Sequence, residues 1–240
     1  MNRQDKTRQW YETYYEKKGG NRNDLRTNPE VLFQTLALEA SVVRALAVLG
    51  GDPKCACVLD VGCGGGGNLY QLLRLGYEAS NISGIDILPA NVEVARRTYP
   101  NMRFVVGDAS RMEFADASFD LLCESTMFAT IPDDTLAASI ACEMVRVCKP
   151  GGYLLLVDWR TPKPRDPNYK ALTRKRLREL FGVGCGTRLI AVCRGALVPP
   201  IGRFLSKHLP STYFLIAGAF PFLVGQVAYV LRKSVDDPKS

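Results

Sequence analysis

Val58-Leu59-Asp60-Val61-Gly62-Cys63-Gly64-Gly65-Gly66-Gly67-Asn68 reads as a buried strand that breaks into a glycine-dense turn and opens a helix over 69–75. Glycine has no Cβ, so a ligand can lie against bare main chain at such a turn. The helix start behind it offers unpaired N–H groups and a positive dipole end, which suits a nucleotide-like ligand. One acid, Asp60, stands two residues before the first glycine, and a second, Asp86, lies in the next apolar run. Gly62-x-Gly64-x-x-Gly67 with Asp86 beyond it also satisfies the dinucleotide fingerprint, so a nicotinamide-dependent oxidoreductase is open at this point.

Outward from this loop, strand and helix signals alternate from about 38 to 160. Short apolar runs at 57–61, 82–87, 103–106, 120–124 and 153–158 are expected strands. Helices are expected over 39–49, 69–75, 90–98 and 134–147, with Pro89 in the first turn of the third and Asp133 placed to cap the fourth. Lys149-Pro150-Gly151-Gly152 should stop that helix and turn into the fifth strand. Such alternation argues a parallel sheet with helices on both faces. Later, 169–181 reads as a basic amphipathic helix with Leu172, Leu177, Leu180 and Phe181 on one side. A strand is expected at 187–193, a helix at 200–208 and a closing strand at 226–231. The stretch 209–231 is apolar, but Pro210, Pro221, Gly225 and Gln226 interrupt it and argue against a spanning helix.

With these motifs in place, the chain resembles class I S-adenosylmethionine-dependent methyltransferases over about residues 38–160. Asp60, Gly62, Gly64 and Gly66 match the family's first motif. Gly84-Ile85-Asp86-Ile87 matches the second and Gly107-Asp108-Ala109 the third. Val145-Arg146-Val147-Cys148-Lys149-Pro150-Gly151-Gly152-Tyr153-Leu154-Leu155-Leu156 matches the later helix, Lys-Pro-Gly-Gly turn and strand. The resemblance implies an α/β, Rossmann-like, doubly wound, mostly parallel seven-stranded sheet with an antiparallel last strand. It divides the chain into a helical lid (1–37), an S-adenosylmethionine-binding core (38–160) and an acceptor-side segment completing the sheet (161–240).

Under that resemblance Asp86 takes both ribose hydroxyls, and Asp108 takes the adenine amine or orients the backbone that reads the ring. Ile87 and Ala109 flank the base. Gly62, Cys63, Gly64 and Gly66 carry the methionine portion along the main chain, and Asp60 shapes the loop or receives the ammonium. The alternative reading of Asp86 is a strand-end surface acid. The expected activity is methyl transfer to a small-molecule or glycan acceptor, at oxygen.

A hydroxyl acceptor must also lose a proton, so a general base helps. Cys123-Glu124-Ser125-Thr126-Met127-Phe128 ends a strand and should face the methyl group, since ligands of open α/β sheets bind at the carboxyl ends of strands. Glu124, as base or cofactor contact, Asp158 at the end of the fifth strand, and His208 are the catalytic candidates. For the first two the alternative is a structural acid, and for His208 a surface histidine. Asn-Pro-Pro-Tyr, which resembles the signature of amide and base-amine methylation, is absent at this strand end. Trp10-Tyr11-Glu12-Thr13-Tyr14-Tyr15-Glu16-Lys17-Lys18 reads either as the lid or as a flanking helix, and Arg26 is placed to meet a carboxylate.

Charge divides the chain. Of the net +7, the segment 51–159 carries −6 and 160–208 carries +10. The basic segment is either a solvated face or an attractor for a phosphorylated acceptor. It lacks aromatic–basic interleaving, so a nucleic-acid partner is not expected. An RNA methyltransferase or RNA-binding protein is the alternative that the charge leaves open, and the oxidoreductase reading lacks an evident Tyr-x-x-x-Lys pair. Leu180-Phe181, Pro199-Pro200-Ile201-Gly202-Arg203 and the closing Val227-Ala228-Tyr229-Val230-Leu231-Arg232-Lys233 resemble methyltransferases of bacterial surface-polysaccharide assembly. That resemblance implies a sugar or a polyprenyl- or nucleotide-linked glycan as acceptor, and it admits a peripheral membrane contact. Residues 1–24 are polar and do not read as a secretory signal, so the eight cysteines are expected as reduced thiols in the cytoplasm, with no metal site.

Overall fold

The computed structural model describes Thr13 and residues 25–163, 166–182 and 185–235. The expected lid helix at 10–18 falls outside these residues except for Thr13. Seven strands form one sheet: β1 (Val58–Val61), β2 (Ile82–Asp86), β3 (Arg103–Val106), β4 (Phe119–Ser125), β5 (Cys148–Trp159), β6 (Thr187–Arg194) and β7 (Gln226–Lys233). Their spatial order is β3-β2-β1-β4-β5-β7-β6. The first five pair in parallel, and β7 runs antiparallel to both β5 and β6. This is the doubly wound, mostly parallel seven-stranded sheet with its antiparallel last strand. The chain order reverses direction at β1 and β4, where such sheets open a crevice at their carboxyl ends.

Alternating side chains feed two cores. Leu59, Val61, Leu122, Leu154, Leu156 and Tyr229 face one core. The helices Asp134–Val147 (α4) and Arg174–Phe181 (α5) cover it. Val58, Leu121, Leu155, Val157, Ala228 and Val230 face the other. Leu32–Leu46 (α1), Leu69–Arg74 (α2) and Pro89–Thr98 (α3) contribute to that side. Strands buried on both faces read as continuous apolar runs, which is why 58–61 and 153–157 were legible.

Three boundaries depart from expectation. α1 begins at Leu32, not 39, because Pro29 opens a 3₁₀ turn that runs directly into it. α5 begins at Arg174, not 169. The preceding chain is pinned away from helix by Lys170 N–H to Ala129 O and Leu172 N–H to Trp159 O, both 2.9 Å. Thr173 then caps the helix through the Arg176 N–H. Lys149-Pro150-Gly151-Gly152 is not a turn before the strand but an irregular start of β5 itself. Gly151 has φ +76°, and a Cβ on Gly152 would lie 2.9 Å from Lys149 O and 3.0 Å from Asp120 O. The apolar stretch 209–231 forms a short helix, Tyr213–Ala219 (α7), following Pro199–His208 (α6), and then β7. No described helix is long and apolar enough to cross a membrane.

Candidate active site

Carboxylates gather where β1, β2, β4 and β5 end. Asp60 is buried on β1, and burial followed by the nearby charge of Asp86 pushes its pKa up to about 7. Asp86 ends β2 and buckles the glycine loop to it: its Oδ2 accepts the Gly64 N–H at 2.9 Å, and its Oδ1 accepts the Leu88 N–H at 2.9 Å. Gly62 and Gly64 adopt φ of +71° and +54°, conformations that favour glycine. A Cβ on Gly64 or Gly67 would meet nothing within 4 Å, so the main chain of the loop is open on its outer side. Gly62 is different, since a Cβ there would lie 3.0 Å from Met127 Sδ. The turn after β4 therefore leans over the loop and forms the opposite wall.

Cys63 turns the other way. Its thiol is buried, and a Cβ on Gly84 would sit 2.8 Å from Cys63 Sγ and 2.7 Å from Phe104 Cδ1. Burial, reinforced by Asp60 and Asp86, holds that thiol protonated far above its usual range. Cys63 thus offers a ligand its backbone and not its side chain. After β3, Asp108 Oδ1 accepts from the N–H and hydroxyl of Ser110 at 2.8 and 2.9 Å, while Ile87 and Ala109 are half-buried.

Glu124 and Asp158 are the most buried of these acids. Glu124 is 1% exposed; its Oε2 accepts the Met127 N–H at 2.9 Å, and its Oε1 has no hydrogen-bond partner among the described residues. Asp158 is fully buried and accepts the Ala129 N–H at 2.8 Å and the Trp159 N–H at 2.7 Å. Burial first, and then the charge of Asp158, holds Glu124 well above the usual carboxylate range. Burial raises Asp158 to about 7 against the pull of its two backbone N–H partners and Arg176. In a dry site the charge of one acid makes the other harder to ionise. Between them the turn passes through Thr126 at φ +64°, an uncommon conformation for a β-branched residue.

The sequence reading missed Arg176, which underpins this turn. Its buried guanidinium donates to Phe128 O at 2.9 Å and to the carbonyls of Ile131 and Lys170, and it reaches Asp134 at 3.2 Å. The signal was present: Arg176 shares the helical face of Leu177, Leu180 and Phe181. His208 is not brought to the site. It is exposed at the end of α6, its ring 4.9 Å from that of Phe204.

A narrow cleft runs from Asp60 and Glu124 between α1, α2 and the sheet. Asp60, Gln71 and Glu124 lie at its polar lining, and Leu38, Val42, Leu72, Leu155 and Val157 are among its apolar walls. Acids that raise one another's proton affinity are relieved by a cation, and an open glycine loop accommodates a chain lying along it. The site fits an elongated ligand that carries positive charge near Asp60 and Glu124 and a hydroxylated ring near Asp86.

Residues 58–152 match the family model described as a methyltransferase domain. The chain is 33% identical over 160 residues to the 2-methyl-6-phytyl-1,4-hydroquinone methyltransferase of Synechocystis sp., covering 64% of this chain and 49% of that protein. It is 37% identical over 105 residues to phthiotriol/phenolphthiotriol dimycocerosates methyltransferase 1 of Mycobacterium ulcerans, covering 43% of this chain and 37% of that one. It thus spans about half or less of the length of these curated relatives. Among solved structures, the geranyl diphosphate C-methyltransferase of Streptomyces coelicolor, bound to Mg²⁺, geranyl diphosphate and S-adenosyl-L-homocysteine, superposes with a TM-score of 0.61 at 14% identity, covering 82% of this chain and 77% of that one. The shared fold is that of Rossmann-like methyltransferases, and the match to a methyltransferase domain covers 58–152.

Proposed function

We propose that this chain is an S-adenosylmethionine-dependent methyltransferase whose acceptor is a small molecule with an apolar tail, methylated at a hydroxyl oxygen. The observation that carries the reading is the set of strand-end acids, with the orphaned Glu124 Oε1 among them, facing a glycine loop whose outer side is open. S-adenosylmethionine supplies a methyl group already activated by the sulfonium. Asp86 keeps lone-pair capacity beyond its bonds to Gly64, Leu88 and Asn91, and this accepts the ribose hydroxyls. Asp108 serves the adenine amine, and Ile87 and Ala109 flank the ring. The main chain at Gly62, Gly64 and Gly66, with the backbone of Cys63, carries the methionine portion, and Asp60 receives its ammonium.

Glu124 and Asp158 act on the acceptor side. Burial raises the basicity of both carboxylates, and Glu124 in its ionised form, with Oε1 uncommitted, takes the proton that the acceptor hydroxyl loses. An apolar tail suits the aliphatic walls of the cleft. The named substrates of the relatives, a phytylated hydroquinone and dimycocerosate lipids, favour such a tail over the glycan that the C-terminal motifs imply. His208, remote on the surface of α6, takes no part in this reading.

Titration calorimetry with S-adenosylmethionine and its demethylated product tests the cofactor assignment. Wild type binds both, and Asp86→Ala loses at least about tenfold in affinity, since charge-assisted bonds to a ligand contribute roughly 1.5–3 kcal/mol. A folded wild-type chain that ignores both compounds overturns it. Labelled-methyl transfer into lipid, glycan and small-molecule fractions of a lysate then tests the acceptor class; label confined to the glycan fraction removes the tailed acceptor.

A further inference from the structure

The sequence contains no acidic residue between Glu179 and Asp236, while Arg188, Arg194, Arg203, Lys207, Arg232 and Lys233 lie in that interval. Within it, 209–231 carries no charge at all. Its second half goes into β7, but its first half sinks into the core only in part, through Tyr213 with Ile216 and Ala217 packed beside it. α7 is anchored by Tyr213, whose ring is buried and whose hydroxyl accepts the Leu197 N–H at 3.1 Å. Around that anchor, Phe204, Leu209, Phe214, Leu215, Phe220 and Phe222 stand outside, with exposures of 57, 49, 49, 73, 47 and 71%. Single exposed apolar residues are ordinary on a protein surface; six from one stretch of chain at 204–222 mark an interaction surface. The rings of Phe220 and Phe222 pack on each other 5.9 Å apart, and Phe214 leans on Phe33 at 5.9 Å, so the surface is organised. Exposed Lys207 and half-buried Arg203 flank it on α6.

We propose that 204–222 seats this protein on the surface of a lipid bilayer bearing anionic headgroups. Phe222 and Leu215, the most exposed, enter the boundary between headgroups and acyl chains, and Lys207 and Arg203 meet the phosphates. Aromatic and leucine side chains beside cations are the composition of elements that lie in this interface. Each cation near an anionic surface adds attraction, and no acid in 180–235 opposes it. Two copies apposed through the same surface would instead bring their cations together, with no acid in 180–235 to answer them. α7, at seven residues, is too short to span and is suited only to lie on the surface. The placement deepens the reading of a tailed acceptor, which a bilayer would present, but its own evidence is this surface.

The test is flotation of the full chain with vesicles of equimolar phosphatidylcholine and phosphatidylglycerol, and with phosphatidylcholine alone. The wild type floats with the anionic vesicles, and less so as salt is raised. Leu215→Ser combined with Phe222→Ser weakens the partition at least about tenfold, from the transfer cost of two exposed apolar side chains. Lys207→Glu weakens it on anionic vesicles only. Affinity for S-adenosylmethionine, measured in parallel, is unchanged in these variants. A wild type that stays unbound, or a double variant that floats equally well, overturns the proposal. So does a dimer seen by light scattering that the double variant converts to monomer, which assigns the surface to a second copy. Vesicle binding without any cofactor affinity sinks the enzymatic reading and leaves this one standing.

Discussion

A carboxylate oxygen shielded from water with nothing to accept from costs about 1–3 kcal/mol or more. Glu124 Oε1 is in that condition, while Oε2 of the same residue is committed to the Met127 N–H. A site that bears this cost in the free protein recovers it when a ligand donates to the open oxygen. Glu124→Gln keeps the shape and leaves an amide oxygen for Met127, but removes the base. Turnover should fall about 100-fold, within the range for general bases, while cofactor affinity changes less than about threefold. Steady-state rates together with calorimetry check this. Undiminished turnover assigns Glu124 to holding the turn alone, and a parallel loss of cofactor affinity moves it to the cofactor side.

At the scale of elements, the site depends on a turn held from three directions, and only some of these are local in sequence. Asp60, the glycines and Asp86 were readable because strand, turn and acid follow one another within a single βαβ pattern. Glu124 and Asp158 were readable as strand ends, but their joint grip on 126–129 was not, because the Asp158 bond to Ala129 joins residues 29 apart in the chain. The positive φ of Thr126 leaves no mark in composition, and the inward turn of Cys63 is decided by the absence of a Cβ on Gly84. Arg176 lies 48 residues from the carbonyl of Phe128, and its basic neighbours Arg174, Lys175 and Arg178 disguise it as one more surface cation. Removing it leaves three carbonyls short of a donor. Arg176→Ala should therefore cost about 3 kcal/mol or more. Arg176→Lys should recover little, because one ammonium cannot reproduce the planar fork. Urea unfolding midpoints measure both, and a shift within about 0.5 kcal/mol for Arg176→Ala would show that the turn holds without it.

For the molecule as a whole, an acidic binding crevice makes stability depend on pH in the direction opposite to that of ordinary salt-bridged carboxylates. Asp60 rises from 3.8 to about 7 on folding, and Asp158 likewise to about 7. Between about pH 4 and 7 the native state therefore holds more protons than the unfolded chain, and unfolding free energy falls as pH rises through that window. Asp134 and Glu143 act the other way. Lys170 lowers the first and Arg146 the second, so their contribution is present above the unfolded carboxylate range and lost as pH falls below it. The ligand-free protein should thus be most stable in mild acid, and its Tm should drop on the order of 5–10 °C between pH 5.5 and 8, given about 2 kcal/mol from the part of the Asp60 shift that falls in that interval. Asp60→Asn, which cannot ionise, should flatten that slope. A cationic ligand beside Asp60 favours its ionised form, so binding at pH 6–7 should expel protons, seen as a calorimetric heat that varies with buffer ionisation enthalpy. The ligand's stabilisation should correspondingly grow as pH rises. If Tm climbs steadily from pH 5.5 to 8 and Asp60→Asn leaves its slope unchanged, the crevice acids are already ionised in the free protein, and relief of their mutual repulsion cannot be what draws a cation to the glycine loop.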